Sequence, residues 1–287
     1  MIFLFTIITA TTVNAQTAVC RINNQPLKDS EWLGQARCLL RPVRMNRNLG
    51  PAPATLPEPL DQLVGKTTVV ERALLKQYLQ RRVIEESRLG GSVDRPLSVA
   101  TYFIIHDTST PHLVREQFPS NDVINGPEWN RGRINRLLSG QQTHVWIDRV
   151  GESATSRDYS LPTVKTGVKV EKRYRNLRGR LLHNELIQPR RCNPAVRVCC
   201  RVVGRETVCN DAIAPEPGFS EAQLDRLALL YVAASTRRGK WLIPAFHGVV
   251  DDEFGSAAHD DPQNFDLNLW ANRLQLLLDD LGFRIPQ

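Results

Sequence analysis

Leu97-Ser98-Val99-Ala100-Thr101-Tyr102-Phe103-Ile104-Ile105 is the stretch on which the fold class turns. Its β-branched and aromatic residues predict a strand, with Tyr102–Ile105 as the buried end. Arg95-Pro96 leads into it, and Leu89-Gly90-Gly91 closes a helix before it. In that helix, expected from Val69 to about Glu86, Val70, Leu74, Leu75, Tyr78, Leu79 and Val83 recur at helical spacing. Downstream, His144-Val145-Trp146-Ile147-Asp148-Arg149 alternates as a second strand before a turn at Gly151, and a third short strand surrounds Asn184-Glu185-Leu186-Ile187. Ser220-Glu221-Ala222-Gln223 is a capping box for a helix that Leu224, Leu227, Leu230, Tyr231 and Ala234 carry to Gly239. Trp241 to Phe246 then reads as a strand and Leu267 to Leu278 as a last helix. Strands separated by helices predict an α/β domain over residues 96–287, a mixed central β-sheet flanked by helices. Residues 16–95 form an N-terminal extension, loop-rich up to about residue 60 because of its Pro, Arg and Asn content, with one helix after that.

The chain has 287 residues, 41% hydrophobic and 23% charged, which excludes wholesale disorder. No apolar stretch reaches the ~18–20 residues of a membrane-spanning helix, so no integral membrane segment is expected. The net charge of +7 favours an anionic partner. Ile2 to Ile8 is almost continuously apolar, and Val13-Asn14-Ala15 offers small residues for cleavage. Residues 1–15 therefore read as a secretory signal, which predicts a periplasmic or secreted protein. Six cysteines fit that compartment. Proximity favours a Cys20–Cys38 disulfide, with Cys192, Cys199, Cys200 and Cys209 stapling a hairpin turned at Val203-Gly204-Arg205. Their spacings do not make a zinc knuckle. Gly65-Lys66-Thr67 has the tail of a phosphate-binding loop, but Leu60 stands where that loop requires glycine.

Metal-capable side chains fall at three places next to strand ends or turns. They are His106 after Tyr102–Ile105, His247 after Leu242–Phe246, and the cluster His259-Asp260-Asp261. Two imidazoles and a carboxylate make a catalytic zinc site with the fourth position open to water, and strand ends hold such ligands rigidly below a cleft. The cluster leaves His259, Asp260 and Asp261 as alternatives for the third ligand.

Several of these segments, taken in order, resemble the zinc-dependent N-acetylmuramoyl-L-alanine amidases of the type 2 amidase family, relatives of the peptidoglycan-recognition proteins. Phe103-Ile104-Ile105-His106-Asp107-Thr108-Ser109 resembles the strand with the first zinc ligand, and His144–Gly151 the His-x-x-Ile-Asp-Arg-x-Gly hairpin. Asn184-Glu185-Leu186-Ile187 is similar to the strand with the catalytic Glu. Ile243-Pro244-Ala245-Phe246-His247 resembles the strand before the second ligand, and His259-Asp260-Asp261-Pro262 the Lys-x-Asp-Pro segment with the third. The resemblance spans about residues 103–266. It implies Zn2+ on His106, His247 and Asp261, with Glu185 as general base and His259 in place of an oxyanion-stabilising Lys. The implied substrate is peptidoglycan or a muropeptide, cut between muramic acid and L-alanine. The segment from His247 to Asp261 is longer than usual, and Val164-Lys165-Thr166-Gly167 replaces a Trp-His-Ala-Gly motif. A non-catalytic peptidoglycan-binding protein of the same fold, and a zinc peptidase acting on another amide, are the alternative expectations.

His112 and His183 are assigned to solvent or structure, since neither ends a predicted buried strand, and His144 to the border of the cleft. Glu171-Lys172-Arg173-Tyr174-Arg175 reads as a solvated basic face. No motif supports nucleic-acid binding, and nothing in the sequence fixes an oligomeric state.

Overall fold

The computed structural model describes residues 20–22, 27–45, 48–134, 143–163, 167–195, 201–203, 206–208, 212–257 and 259–285. The N-terminal part contains α1 (Trp32–Leu39), β1 (Val43–Arg44), β2 (Asn48–Leu49), α2 (Leu60–Leu63) and α3 (Arg72–Arg81). Then come β3 (Tyr102–Asp107), α4 (Asn121–Ile124), β4 (Val145–Ile147), β5 (Ser153–Thr155), α5 (Lys169–Arg173) and β6 (Leu181–Leu186). Short strands β7 (Arg191–Cys192), β8 (Arg201–Val203), β9 (Glu206–Val208) and β10 (Ala212–Ile213) lead to α6 (Glu221–Arg238). The chain finishes with β11 (Ile243–Phe246), α7 (His247–Val250) and α8 (Leu267–Asp280).

The central sheet has the order β11-β3-β6-β4-β5. Neighbouring strands from β11 to β4 run parallel and β5 returns antiparallel, so the sheet is mixed and the fold α/β, as expected. All six residues of β3 are buried, as suits a central parallel strand covered on both faces. Phe103 meets Tyr231 of α6 edge-on at 5.3 Å, and Tyr231 meets Trp270 of α8 at 5.5 Å. Odd-numbered residues of β3 therefore face the α6–α8 layer, and Tyr102, Ile104 and His106 face the other side. The register pairs His106 with Glu185 and Ile104 with His183, so these side chains share one face. The capping box at Ser220 forms in full, and Gly239 ends α6 in the left-handed conformation at φ +68°.

Several sequence expectations need correction. β3 begins at Tyr102, not Leu97: the Leu97 amide bonds to Arg237 O at the end of α6, and sheet pairing starts where Thr101 and Tyr102 meet Arg180 O. His106 lies inside β3, not after it. The helix expected over 69–86 spans only 72–81, because Val83 adopts φ +55°; that residue is 91% exposed and not in the core. Nor is the segment before residue 60 a loose arm. Trp32, Ala36 and Leu39 of α1 join Leu60 and Leu63 of α2 in the main hydrophobic core, and α1 packs against β11. Burying these apolar side chains outweighs the loop-forming composition around them.

The expected Cys20–Cys38 disulfide is present. β8 and β9 pair antiparallel, as expected of a hairpin, while Gly204 and Arg205 of its expected turn lie outside the described residues. Cys192 is disulfide-bonded too, while Cys199, Cys200 and Cys209 lie outside the described residues, as do the 1–15 signal and Val164–Thr166. Among the described residues no helix is long and apolar enough to cross a membrane.

Gly248, the second residue of α7, allows the segment after it to close on the sheet. Its amide donates to Asp261 O at 2.7 Å, and an added Cβ would lie 2.9 Å from His259 O and 3.0 Å from Asp261 O. Gly34 in α1 has nothing within 4 Å of such a Cβ. Gly248→Ala is expected to cost about 1–3 kcal/mol through overpacking, whereas Gly34→Ala gains up to ~1 kcal/mol from helix propensity. Urea unfolding of the two variants checks the contrast.

Candidate metal centre

His106, Glu185 and His247 are brought together by strand register. His106 sits beside Glu185 in the β3–β6 pairing, and the β11–β3 pairing ends at Phe246–Ile105, which puts His247 next to His106. Asp261 arrives from the segment held by Gly248. Asp107 and Arg190 anchor that segment: Arg190 Nη2 lies 2.5 Å from Asp107 Oδ2 and 3.3 Å from Asp260 O, and the Gln263 amide donates to Asp107 Oδ2 at 3.2 Å. The Asp107 amide itself donates to Asp261 Oδ2 at 3.3 Å.

One potential ligand atom from each of His106, His247 and Asp261 falls within 4.8 Å of the others, and all three residues are buried. The nearest atoms are His106 Nδ1 and His247 Nδ1 at 3.0 Å, His247 Nδ1 and Asp261 Oδ2 at 3.0 Å, and His106 Nδ1 and Asp261 Oδ2 at 3.6 Å. Asp261 Oδ1 is buried and makes no hydrogen bond, but it too lies 3.0 Å from His247 Nδ1. A buried carboxylate beside two convergent imidazole nitrogens suits a cation, so this cluster can hold a metal ion.

The outer nitrogens of both imidazoles are also engaged. His247 Nε2 lies 3.0 Å from Asp251 Oδ2. An N–H donated there leaves Nδ1 with a lone pair facing the cluster. His106 Nε2 lies 3.0 Å from His183 Nδ1, and His183 Nε2 lies 3.3 Å from Glu171 Oε2. These last two atoms have no other partner and face each other in a wholly buried pocket. The His183 amide donates to His144 Nδ1 at 3.0 Å, which leaves His144 Nε2–H for Leu161 O at 2.9 Å. Short α5 serves both imidazoles: it carries Glu171, and its first amide, at Lys169, donates to Asp251 at 2.8 Å.

The charges reflect these contacts. Burial, reinforced by repulsion from His247, lowers the pKa of His106 to about 3. Asp261 is held well below the ordinary carboxylate range, since His247 and His106 overcome the effect of burial. The His247 pKa is raised well above the usual value, because Asp261 and Asp251 outweigh the opposing effect of burial. Burial, then repulsion from Asp261 and Asp107, raises Glu185 well above the ordinary range against attraction from His247. Glu185 Oε1 lies 3.8 Å from His106 Nδ1, and its side chain keeps 18% exposure, so water can reach it.

The other expected residues divide. Asp260 turns to Gln263 Nε2 at 2.8 Å, and burial raises its pKa to about 7; it is not in the cluster. His259 stacks on His247 at 4.7 Å and is exposed to solvent. Desolvation of its ring against His247, with repulsion from that residue, lowers its pKa, which favours the uncharged imidazole at neutral pH. Glu171 is 1% exposed and faces His183, contrary to the solvated face expected for its segment. His183 and Asp251 support the two imidazoles in ways the sequence reading did not identify. The i, i+4 spacing of His247 and Asp251 was a usable signal, whereas Glu171 and His183 become neighbours only through the tertiary fold.

Comparison with protein-family models, curated proteins and solved structures finds no match to this chain.

Since His106 is already neutral and Asp261 ionised at neutral pH, an entering divalent ion must displace a proton from His247. Calorimetric titration at pH 6 in buffers of different ionisation enthalpy is expected to report at least one proton released per ion. Affinity should fall about tenfold per pH unit below the His247 pKa. In a separate titration, Glu171→Gln, which weakens the support for His106 through His183, is expected to lower metal affinity about 10–100-fold without changing the stoichiometry.

Proposed function

We propose that the protein is a zinc-dependent amidase of peptidoglycan, cleaving the bond between the muramic acid lactyl group and L-alanine. The observation that carries this reading is the convergence of His106, His247 and Asp261 on one point, with the Glu185 carboxylate 3.8 Å from His106 Nδ1. These are the residues to which the amidase resemblance assigns the metal and the general base. The separations of 3.0, 3.0 and 3.6 Å between the three nearest ligand atoms would accommodate one small divalent ion among them. Two imidazoles and a carboxylate are also zinc's usual catalytic ligands.

Zinc bound by His106, His247 and Asp261 would supply Lewis-acid polarisation of an amide carbonyl and a bound water with its pKa lowered toward ~7. Glu185 takes the proton from the attacking water and delivers it to the departing amine, for which a carboxylate with a raised pKa is suited. Its partial exposure lets it serve a substrate that enters from solvent. His259, neutral and stacked on His247, offers an N–H to the developing oxyanion in place of a positive charge. Asp251, His183 and Glu171 orient the imidazoles and touch no reacting atom. The net charge of +7 suits an anionic wall polymer, and the Cys20–Cys38 disulfide suits an oxidising compartment, the periplasm or the exterior.

Purified peptidoglycan digested by the zinc-loaded protein and analysed by mass spectrometry should yield free stem peptides beginning with L-alanine. Glu185→Gln should retain one zinc per chain and lose activity by about 10²–10⁴-fold. Intact muropeptides with bound protein would replace this reading with the non-catalytic binder, and cleavage at a different amide would replace it with a zinc peptidase.

A further inference from the structure

The other end of the same strands carries a cleft of about 270 Å³, lined by residues that include Trp32, Tyr102, Arg180, Arg238 and Lys240. Arg180 immediately precedes β6, Tyr102 opens β3, and Lys240 stands shortly before β11. At about 3.3 Å per residue, β3 separates Tyr102 in this cleft from His106 and Asp107 by roughly 13 to 17 Å. It is therefore a separate place in the fold, and its chemistry is independent of the amidase reading.

The polar groups in the cleft are not balanced. Lys240 pairs with Asp29 and lies 4.3 Å from the centre of the Trp32 ring. Arg238 donates Nε–H to Ala100 O at 2.8 Å, which leaves its two terminal amino groups. Among the described residues the Arg180 side chain has no hydrogen bond or ion pair, and neither has the Tyr102 hydroxyl. Burial raises the Tyr102 pKa, so that hydroxyl remains a donor. The C-terminal end of α6 attracts positive charge and accounts for Arg238 and Lys240. It does not account for Arg180, which enters from the β6 side. Two partly buried guanidiniums thus share one cleft in which the single acid, Asp29, is already paired with Lys240.

We propose that this cleft binds a phosphate monoester. Guanidinium forks match phosphoryl oxygens in pairs, and two of them match a dianion. Tyr102 adds a neutral donor, and the volume beyond the phosphoryl group accommodates a small organic alcohol next to Trp32.

Calorimetric titration of the full chain with glycerol 1-phosphate, inorganic phosphate, succinate and glycerol tests the assignment. Glycerol 1-phosphate should bind most tightly, and glycerol should not bind. Arg180→Ala, which removes a side chain that makes no hydrogen bond or ion pair among the described residues, should weaken that binding at least about tenfold, the effect of losing a charge-assisted pair, with an unchanged melting temperature. Arg238→Lys, which keeps the Ala100 side charged but loses the fork, should weaken it as well. The assignment is overturned by no binding at about 10 mM ligand, by equal affinity for succinate or inorganic phosphate, or by affinity unchanged in Arg180→Ala.

Discussion

Three electron-pair donors, His106 Nδ1, His247 Nδ1 and Asp261 Oδ2, face one another across 3.0 to 3.6 Å in a buried space. Such an arrangement holds together only with positive charge among the three atoms, and a proton on His247 Nδ1 or a divalent ion both supply it. The rest of the site serves that requirement. Asp251 and the Glu171–His183 pair direct N–H groups away from the centre, so that lone pairs point in. Arg190 neutralises Asp107 nearby and pins the segment carrying Asp261. Gly248 permits that segment's backbone to lie against α7.

The sheet makes this convergence rigid. His106 and Glu185 are neighbours because β3 and β6 pair in parallel and in register, which fixes the spacing of two side chains 79 positions apart to that of adjacent strands. A one-residue slip would move His183 and Glu185 together to the opposite face. α5 then ties the two imidazole supports into one unit, with its first amide on Asp251 and Glu171 on His183. With only one turn of its own, α5 owes its position to these contacts and to the buried Val170.

Much of this was legible in the chain. The apolar run 102–105, the capping box at Ser220 and the helical spacing of 224–234 have local causes, and they report the α/β fold. His106, His247 and Asp261 were legible because each adjoins a strand end or turn that apolar patterning reveals. Other features depend on contacts that no local pattern encodes. Leu97 to Thr101 have strand-like composition, yet Leu97 bonds to the end of α6 instead of to a strand. Residues 16–60 have loop composition, yet Trp32, Ala36 and Leu39 find an apolar surface beside β11. Glu171 lies among Lys172, Arg173 and Arg175, so composition assigns it to solvent, whereas helical geometry turns it inward toward His183.

The raised pKa values of His247 and Glu185 share one contributor, the Asp261 carboxylate, although burial is the larger cause at Glu185. Asp107, Asp251 and Asp261 bring three carboxylates close to the two imidazoles, with Arg190 paired to Asp107. With a proton as the central charge, His247 holds it tightly and Glu185 is biased toward its neutral acid form. A divalent ion in that position removes the His247 proton and adds a unit of positive charge, which favours ionised Glu185. Ligand occupancy and the protonation of the base are therefore one coupled equilibrium. In the proposed reaction Glu185 would thus become able to accept a proton once the ion is in position, and neutral His259 adds no charge to oppose that ion's entry.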